Sequence, residues 1–188
     1  MHTPSHIIFN LGILWWKKKQ KFHFPIFLGA VLPDVTMYLF VGYEKVLGKP
    51  LEMIFDHDYF LPFWQNCFDL GHSFPLLAFW FWICYYLKKH WWKYLFASMF
   101  IHSLFDFPLH HDDAHRHFWP FSDYRFYSPI SYWDPTHYGN IFSKLELIWV
   151  ILISFYLYWA MKTWYGKVGL VWLNVIVLGG VVAFSIWL

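Results

Sequence analysis

Residues 102–117 read His-Ser-Leu-Phe-Asp-Phe-Pro-Leu-His-His-Asp-Asp-Ala-His-Arg-His and hold five histidines and three aspartates. The stretch starts inside an apolar run, Trp91–Leu109, and leaves it through Pro108. His102 and Asp106 are four residues apart, so on a helix they share one face. An imidazole and a carboxylate stacked in this way offer two ligands to one divalent cation. In a soluble helix such a pair means little. Inside an apolar run, ionisable groups are costly and mark a site or a pathway.

The rest of the composition makes that run a membrane run. Hydrophobic residues are 59% of the 188 and charged residues only 14%, both outside the range of soluble domains. Aromatic residues reach 26%. Several of the long apolar runs, at 24–43, 71–87, 91–109, 143–161 and 168–188, are near or above bilayer-crossing length. The shorter 3–16 segment begins Thr3-Pro4, which suits an N-cap and first helical position. It makes a helix of roughly 21 Å, a half-span or a helix tucked into the bundle. The expected fold is an all-α membrane protein: a polytopic bundle of four full transmembrane helices plus a short N-terminal half-span helix. It forms a single domain over 1–188, with 110–142 a His- and aromatic-rich outer loop. Residues 44–70 read as a loop or interfacial segment. Pro33, in mid-run, predicts a kink with Asp34 directly after it. Cys67 and Cys84 are too few for a disulfide framework and are expected to be free. The lysines at the start follow the apolar segment, unlike those of a secretory signal.

Charge orients the bundle. With Lys17–Lys21 placed in the cytoplasm and the spans alternating, the Lys88–Lys93 and Lys162–Lys167 turns also fall inside. None of the 12 acids falls on that side. Trp15-Trp16, Trp91-Trp92 and Trp164-Tyr165 lie beside these lysines, as an interfacial belt requires. The net charge of +2 gives no basis for a nucleic-acid partner.

This topology places His6, His72, His102, Asp106 and the deeper Asp34 in the outer half of the membrane. If their helices form one bundle, the five side chains can meet, and bundle interiors are where facing helices build metal sites. Each residue has an ordinary alternative. A histidine at a span end snorkels to water. Asp34 can cap the half-helix after Pro33, and His102 can bond a neighbouring helix. The loop cluster His110–His117 can be a solvated, pH-sensitive patch. A shared depth for all five favours a shared polar site.

The ordered set Thr3-Pro4-Ser5-His6, Gly29-Ala30-Val31-Leu32-Pro33-Asp34, Gly71-His72-Ser73 and His102-Ser103-Leu104-Phe105-Asp106 resembles a known family. It is similar to the small bacterial membrane-bound, metal-dependent hydrolases of the YdjM type, over roughly residues 1–120. That resemblance implies His6, Asp34, His72, His102 and Asp106 as metal ligands and a bacterial cytoplasmic (inner) membrane location. The loop 108–139 resembles a subgroup sometimes labelled as the cobalamin-biosynthesis amidotransferase CobQ. No Gly-rich nucleotide loop is present to match that label.

Three functions fit. In the first, a divalent metal, with zinc the expected ion for His/carboxylate ligation, activates water against a lipid or amphiphilic substrate at the outer interface. Asp34 and Asp106 are the candidate catalytic carboxylates. His110, His111, Asp112, His115 and Arg116 are candidate loop ligands or supporting groups, and Arg116 or Arg125 would neutralise a phosphate. No serine has a nucleophile-elbow context, which argues against a Ser-His-Asp hydrolase. In the second, the cluster binds or passes metal ions or protons. In the third, the chain is a structural subunit, an oligomer or a component of a larger membrane complex among membrane lipids. The orientation is testable in all three. A cysteine placed at His90 should be labelled only from the cytoplasmic face and one at Asp123 only from outside; the reverse pattern would invert the topology.

Overall fold

The computed structural model describes residues 1–14 and 22–186. Among these, every regular element is helical: α1 (Thr3–Leu14), α2 (His23–Val46), α3 (Leu51–Asp56), α4 (Pro62–His72), α5 (Phe74–Tyr86), α6 (His90–Asp106), α7 (Gly139–Ala160) and α8 (Trp164–Ile186). The Lys17–Lys21 cluster and the Trp15-Trp16 pair lie outside the described residues.

Three helices are long and apolar enough to cross a membrane: α2, α7 and the Trp164–Ala183 part of α8. The expectation of four full spans is met only to that extent. The 71–87 run is not one straight helix. It is the C-terminal turn of α4 and the whole of α5, bent by 42° at Ser73. Pro75 sits in the first turn of α5, and the Ser73 side chain caps it by accepting from the Leu76 amide. α6 has 17 residues, roughly 26 Å at 1.5 Å per residue, short of the ~30 Å hydrocarbon core. Nor is 44–70 a plain loop. It holds the end of α2, α3, a 3-10 turn at Asp58–Phe60 and most of α4. Aromatic packing makes it so: Phe40, Ile54, Tyr59 and Phe68 form a small core of their own. Cys67 and Cys84 are free.

The main core surrounds α1. Ile7, Ile8 and Leu11 are buried against Ile26 and Ala30 of α2, Val150 and Leu157 of α7, and Leu170 and Val177 of α8. α1 is therefore the tucked-in helix and not a lipid-facing half-span. The outward faces of α7 and α8 carry exposed Ile151, Phe155, Trp159, Val171 and Trp172. Such a continuous apolar surface needs lipid or protein against it.

Two glycines allow the contacts that locate the site. A Cβ on Gly29 would stand 2.3 Å from the Leu95 carbonyl oxygen and 2.8 Å from Ser98 Cβ, so α2 and α6 touch backbone to backbone there. One on Gly71 would stand 3.0 Å from Pro33 Cα, so α4 crosses α2 beside Asp34 and seats His72 there. The comparison with Gly42, which has nothing within 4 Å of its Cβ position, is direct. Gly29→Ala should cost about 1–3 kcal/mol by overpacking, a fall of roughly 2–10 °C in Tm in detergent. Gly42→Ala should be neutral or stabilising by up to about 1 kcal/mol. Equal Tm values for the two variants would contradict the close approach.

Candidate metal centre

The site is built in layers one helical turn apart. In the lowest, Asn10 Nδ2 donates to the Ser98 carbonyl at 2.8 Å and to Ser98 Oγ at 2.9 Å, and Ser98 Oγ donates to the Ile26 carbonyl at 2.6 Å. Four residues on in α2 and α6, and four back in α1, the same helices bring together His6, His102 and Ala30. His6 lies flat on His102, with ring centroids 3.6 Å apart. His102 Nδ1 is 2.8 Å from the Ala30 carbonyl oxygen. The next step in α2 and α6 gives Asp34 and Asp106. Thus α1 runs antiparallel to α2 and α6, and the helical repeat alone stacks the polar residues.

Asp34, His72, His102 and Asp106 converge: each offers one ligand atom within 4.8 Å of those of the other three. His102 Nε2 is 2.9 Å from Asp106 Oδ2 and 3.4 Å from Asp34 Oδ1, and His72 Nε2 is 3.6 Å from Asp106 Oδ2. Ligand bonds of about 2.1 Å in a tetrahedron put neighbouring donors about 3.4 Å apart. The four residues therefore form a group that could hold a metal ion.

Tautomers strengthen the fit. A carbonyl oxygen only accepts, so His102 Nδ1 is protonated toward Ala30. His72 Nδ1, 2.8 Å from the Phe68 carbonyl, is likewise protonated. In the neutral imidazoles both Nε2 atoms then carry lone pairs. Both are buried without a hydrogen-bond partner, and both face carboxylates. Lone pair against carboxylate is repulsive unless positive charge, a proton on Nε2 or a cation, lies between. Fixing Nδ1 on a carbonyl so that Nε2 points at a metal is also the usual outer-shell arrangement.

The other expected residues divide. His6 is not among the four but bonds the second oxygen of Asp106, Nε2 to Oδ1 at 2.9 Å. His110 Nε2 lies 3.7 Å from the same oxygen, and its Nδ1 is 2.8 Å from Asp113 Oδ2. Burial opposes its protonation, but Asp113 and Asp106 prevail and hold its pKa up at about 9. His115 stacks on His72 at 4.0 Å; burial first, then the neighbouring imidazoles, push its pKa well down. His111 stacks on His137 and bonds the Ser128 carbonyl, and Asp112 is at the surface, 73% exposed. Neither reaches the cluster. Arg116 does not face it as a phosphate anchor. Its Nε donates to Asp69 Oδ2 at 2.6 Å, and its other nitrogens to Asp123 and Asn66. Arg125 is taken up by Gln65 and the Ala114 carbonyl.

Several participants are absent from the sequence-based set. Glu146 of α7 is buried, and both its oxygens are 3.2 Å from His2 Nδ1. It is the one acid in the 143–161 run, and that isolation was its signal. Thr3 is no simple cap: its hydroxyl donates to Asp34 Oδ2 at 2.5 Å and lies 2.6 Å from the Tyr38 hydroxyl. Tyr132 of the loop packs its ring on His2 and His110. Burial and then the Asp113, Asp34, Asp106 and Glu146 carboxylates push its pKa well above 10. Asp69 signals nothing in sequence.

The loop covers the centre. Leu109, His110, Ala114, His115 and His117 are buried beneath it. Its backbone serves the α4–α5 break, where the Phe74 amide donates to the His117 carbonyl at 2.8 Å and Ser73 Oγ donates to the Trp119 carbonyl. Comparison with protein-family models, with curated proteins and with solved structures finds no match. The arrangement therefore stands on its own geometry.

The loop's attachment is open to test. Asp69 is fully buried, and Arg116→Ala leaves it without its guanidinium partner. Breaking a buried pair costs about 3 kcal/mol or more. Amide exchange and proteolysis across 114–126 should rise by roughly two orders of magnitude while α7 and α8 stay protected. Unchanged protection in the loop would show that Arg116 does not hold it.

Proposed function

We propose that this chain is a membrane-embedded, metal-dependent hydrolase of the YdjM type, acting on a lipid or other amphiphile at the outer membrane interface. Asp34, His72, His102 and Asp106 hold the ion, and their donor set and spacing suit zinc. The broken α4–α5 pair is the fourth full span in this reading, beside α2, α7 and α8, with α6 packed against α1, α2, α4 and α5.

The carrying observation is the pair of imidazoles whose Nε2 atoms face two carboxylates with no hydrogen-bond partner. A bound divalent cation supplies Lewis acidity and lowers the pKa of water. The protein's own residues do the rest. The Ala30 and Phe68 carbonyls fix the two imidazoles. Asp34 is the accessible ligand, its side chain 22% exposed where those of His72, His102 and Asp106 are 3% or less. One of its oxygens is held by Thr3, and it stands one turn from the exposed Tyr38. Asp34 is therefore the carboxylate placed to take a proton from water beside an approaching substrate. The surface next to Asp34 on α2 carries exposed Tyr38, Leu39 and Tyr43, which suits an amphiphile.

One feature favours the alternative of metal or proton transfer. His115 and His117 continue the histidine cluster away from Asp106, with His115 stacked on His72.

Elemental analysis of purified protein should show zinc or a similar divalent ion. His102→Ala and Asp106→Ala should lose it, and Asp112→Asn should keep it. In proteoliposomes, turnover of ester- or phosphodiester-linked lipids should vanish with chelation and return with zinc. Ion flux without lipid turnover would move the assignment to transport. Metal-free wild type would end the hydrolase and metal-transport readings and leave proton transfer.

A further inference from the structure

Thr3 has a hydroxyl with no duty in its own helix. The first turn of α1 closes on the His2 carbonyl, which accepts from the Ser5 amide at 2.8 Å and the His6 amide at 3.2 Å, and Pro4 has no amide to cap. The Thr3 hydroxyl instead crosses to α2, where Asp34 and Tyr38, four residues apart, share one face. A hydroxyl has one proton to donate. Thr3 gives it to Asp34 Oδ2 at 2.5 Å, so Thr3 Oγ1 accepts from the Tyr38 hydroxyl, 2.6 Å away. Both protons point inward along one line, from Tyr38 to Thr3 and from Thr3 to the carboxylate.

We propose that this relay is a positioning device: Thr3, oriented by Tyr38, reserves Asp34 Oδ2 and leaves Oδ1 as the one oxygen Asp34 offers to a metal. This rests on the four-residue group holding a metal, as the proposed function requires. Three observations carry it. First, the two oxygens of Asp34 are already divided. Oδ1 faces His102 Nε2 at 3.4 Å, and Oδ2 is the one on Thr3. Second, the other three residues are limited in the same way. Asp106 Oδ1 is taken by His6 Nε2 at 2.9 Å and the Met1 nitrogen at 2.8 Å, which leaves Oδ2 toward His102 and His72. His72 and His102 have Nδ1 on carbonyl oxygens, which leaves Nε2. Each residue keeps one atom for the shared centre and has its other engaged outside it. Third, Asp34 needs the restraint most. Its side chain is 22% exposed where those of the other three are 3% or less, so packing alone does not lock its carboxylate. Tyr38 in turn fills a lone pair of Thr3 and fixes the direction in which Thr3 donates.

The restraint decides what else a metal in this group can take. Four residues with one atom each leave a coordination position for water, and a second oxygen from Asp34 would fill it. A merely structural bridge between α1 and α2 would need neither the division of the Asp34 oxygens nor the second hydroxyl.

The test uses the whole chain in nanodiscs, stripped with chelator and titrated with Co²⁺, whose visible absorption weakens as its coordination number rises. Wild type should bind cobalt with an intense band. Thr3→Val should bind it roughly 10–100-fold more weakly, as loss of an outer-shell partner does. At saturation its band should be several-fold weaker, because the freed oxygen joins the ion. Thr3→Ser keeps the hydroxyl and should restore both affinity and band. Tyr38→Phe should weaken the band in the same direction by less. A Thr3→Val band equal to that of wild type overturns the relay and leaves the proposed function standing. Wild type that binds no cobalt overturns both. Tyr38 is 58% exposed and can lose its hydroxyl without unfolding the bundle, so an unchanged band in Tyr38→Phe overturns the relay even where Thr3→Val does not fold.

Discussion

A carboxylate buried in an apolar bundle is the constraint on which this structure depends. Asp106 has 2% of its surface exposed and sits on a helix otherwise lined by Leu95, Phe96, Phe100 and Ile101. Left alone it would cost several kcal/mol or take up a proton. Four parts of the chain answer that cost. α1 brings His6, α4 brings His72, α6 brings His102 from one turn below, and the loop brings His110. Remove the carboxylate and the histidines have no common point to face. Remove the close backbone contacts at Gly29 and Gly71, and the helices that bear them cannot come near enough.

The supporting framework uses backbone wherever it can. Ser98 and His102 of α6 bond the Ile26 and Ala30 carbonyls, one turn apart on α2. His72 bonds the carbonyl four residues back in its own helix. These acceptors survive substitution of their own side chains, so the orientation of two imidazoles is set by fold and not by further polar side chains. Loop and α4 rely on charge instead. Asp69, buried, takes both the main chain and the guanidinium of Arg116, and this pins the loop above His72. The site thus has a rigid floor made by helix packing and a roof attached by ion pairs.

How much of this was legible follows from the physics of each residue. Asp34, His72, His102 and Asp106 stood out because a charged or titratable group in an apolar run has few explanations, and lysine placement gave them a common depth. His6 was legible for the same reason, though not its place on the far oxygen of Asp106, which depends on how α1 is rotated. Glu146 was visible as an isolated acid but lay on a helix with no other polar motif, so nothing tied it to the rest. The break at Ser73 was hidden because Pro75 is acceptable in the first turn of a helix, and a continuous apolar run looks the same with or without a bend. Asp69, Arg116 and Arg125 lie in segments read as loops, where charged residues are ordinary. Their pairings span 47 and 60 residues of sequence, and no local pattern encodes a partner at that distance.

The two ways of neutralising Asp34 and Asp106 make different demands on the histidines. If the acids were neutral or held by imidazolium, each ring would turn an N–H squarely onto an oxygen. His6 does this toward Asp106. His102 and His72 do not: they stand within 2.9 and 3.6 Å of Asp106 Oδ2 but fail to align with it. Each ring is held by its other nitrogen on a carbonyl, which fixes where Nε2 points. Each of the four groups brings a ligand atom within 4.8 Å of those of the other three. A proton serves a line between two atoms, whereas a cation serves a centre. The convergence of Asp34, His72, His102 and Asp106 suits the second, and the proposed metal reading rests on it.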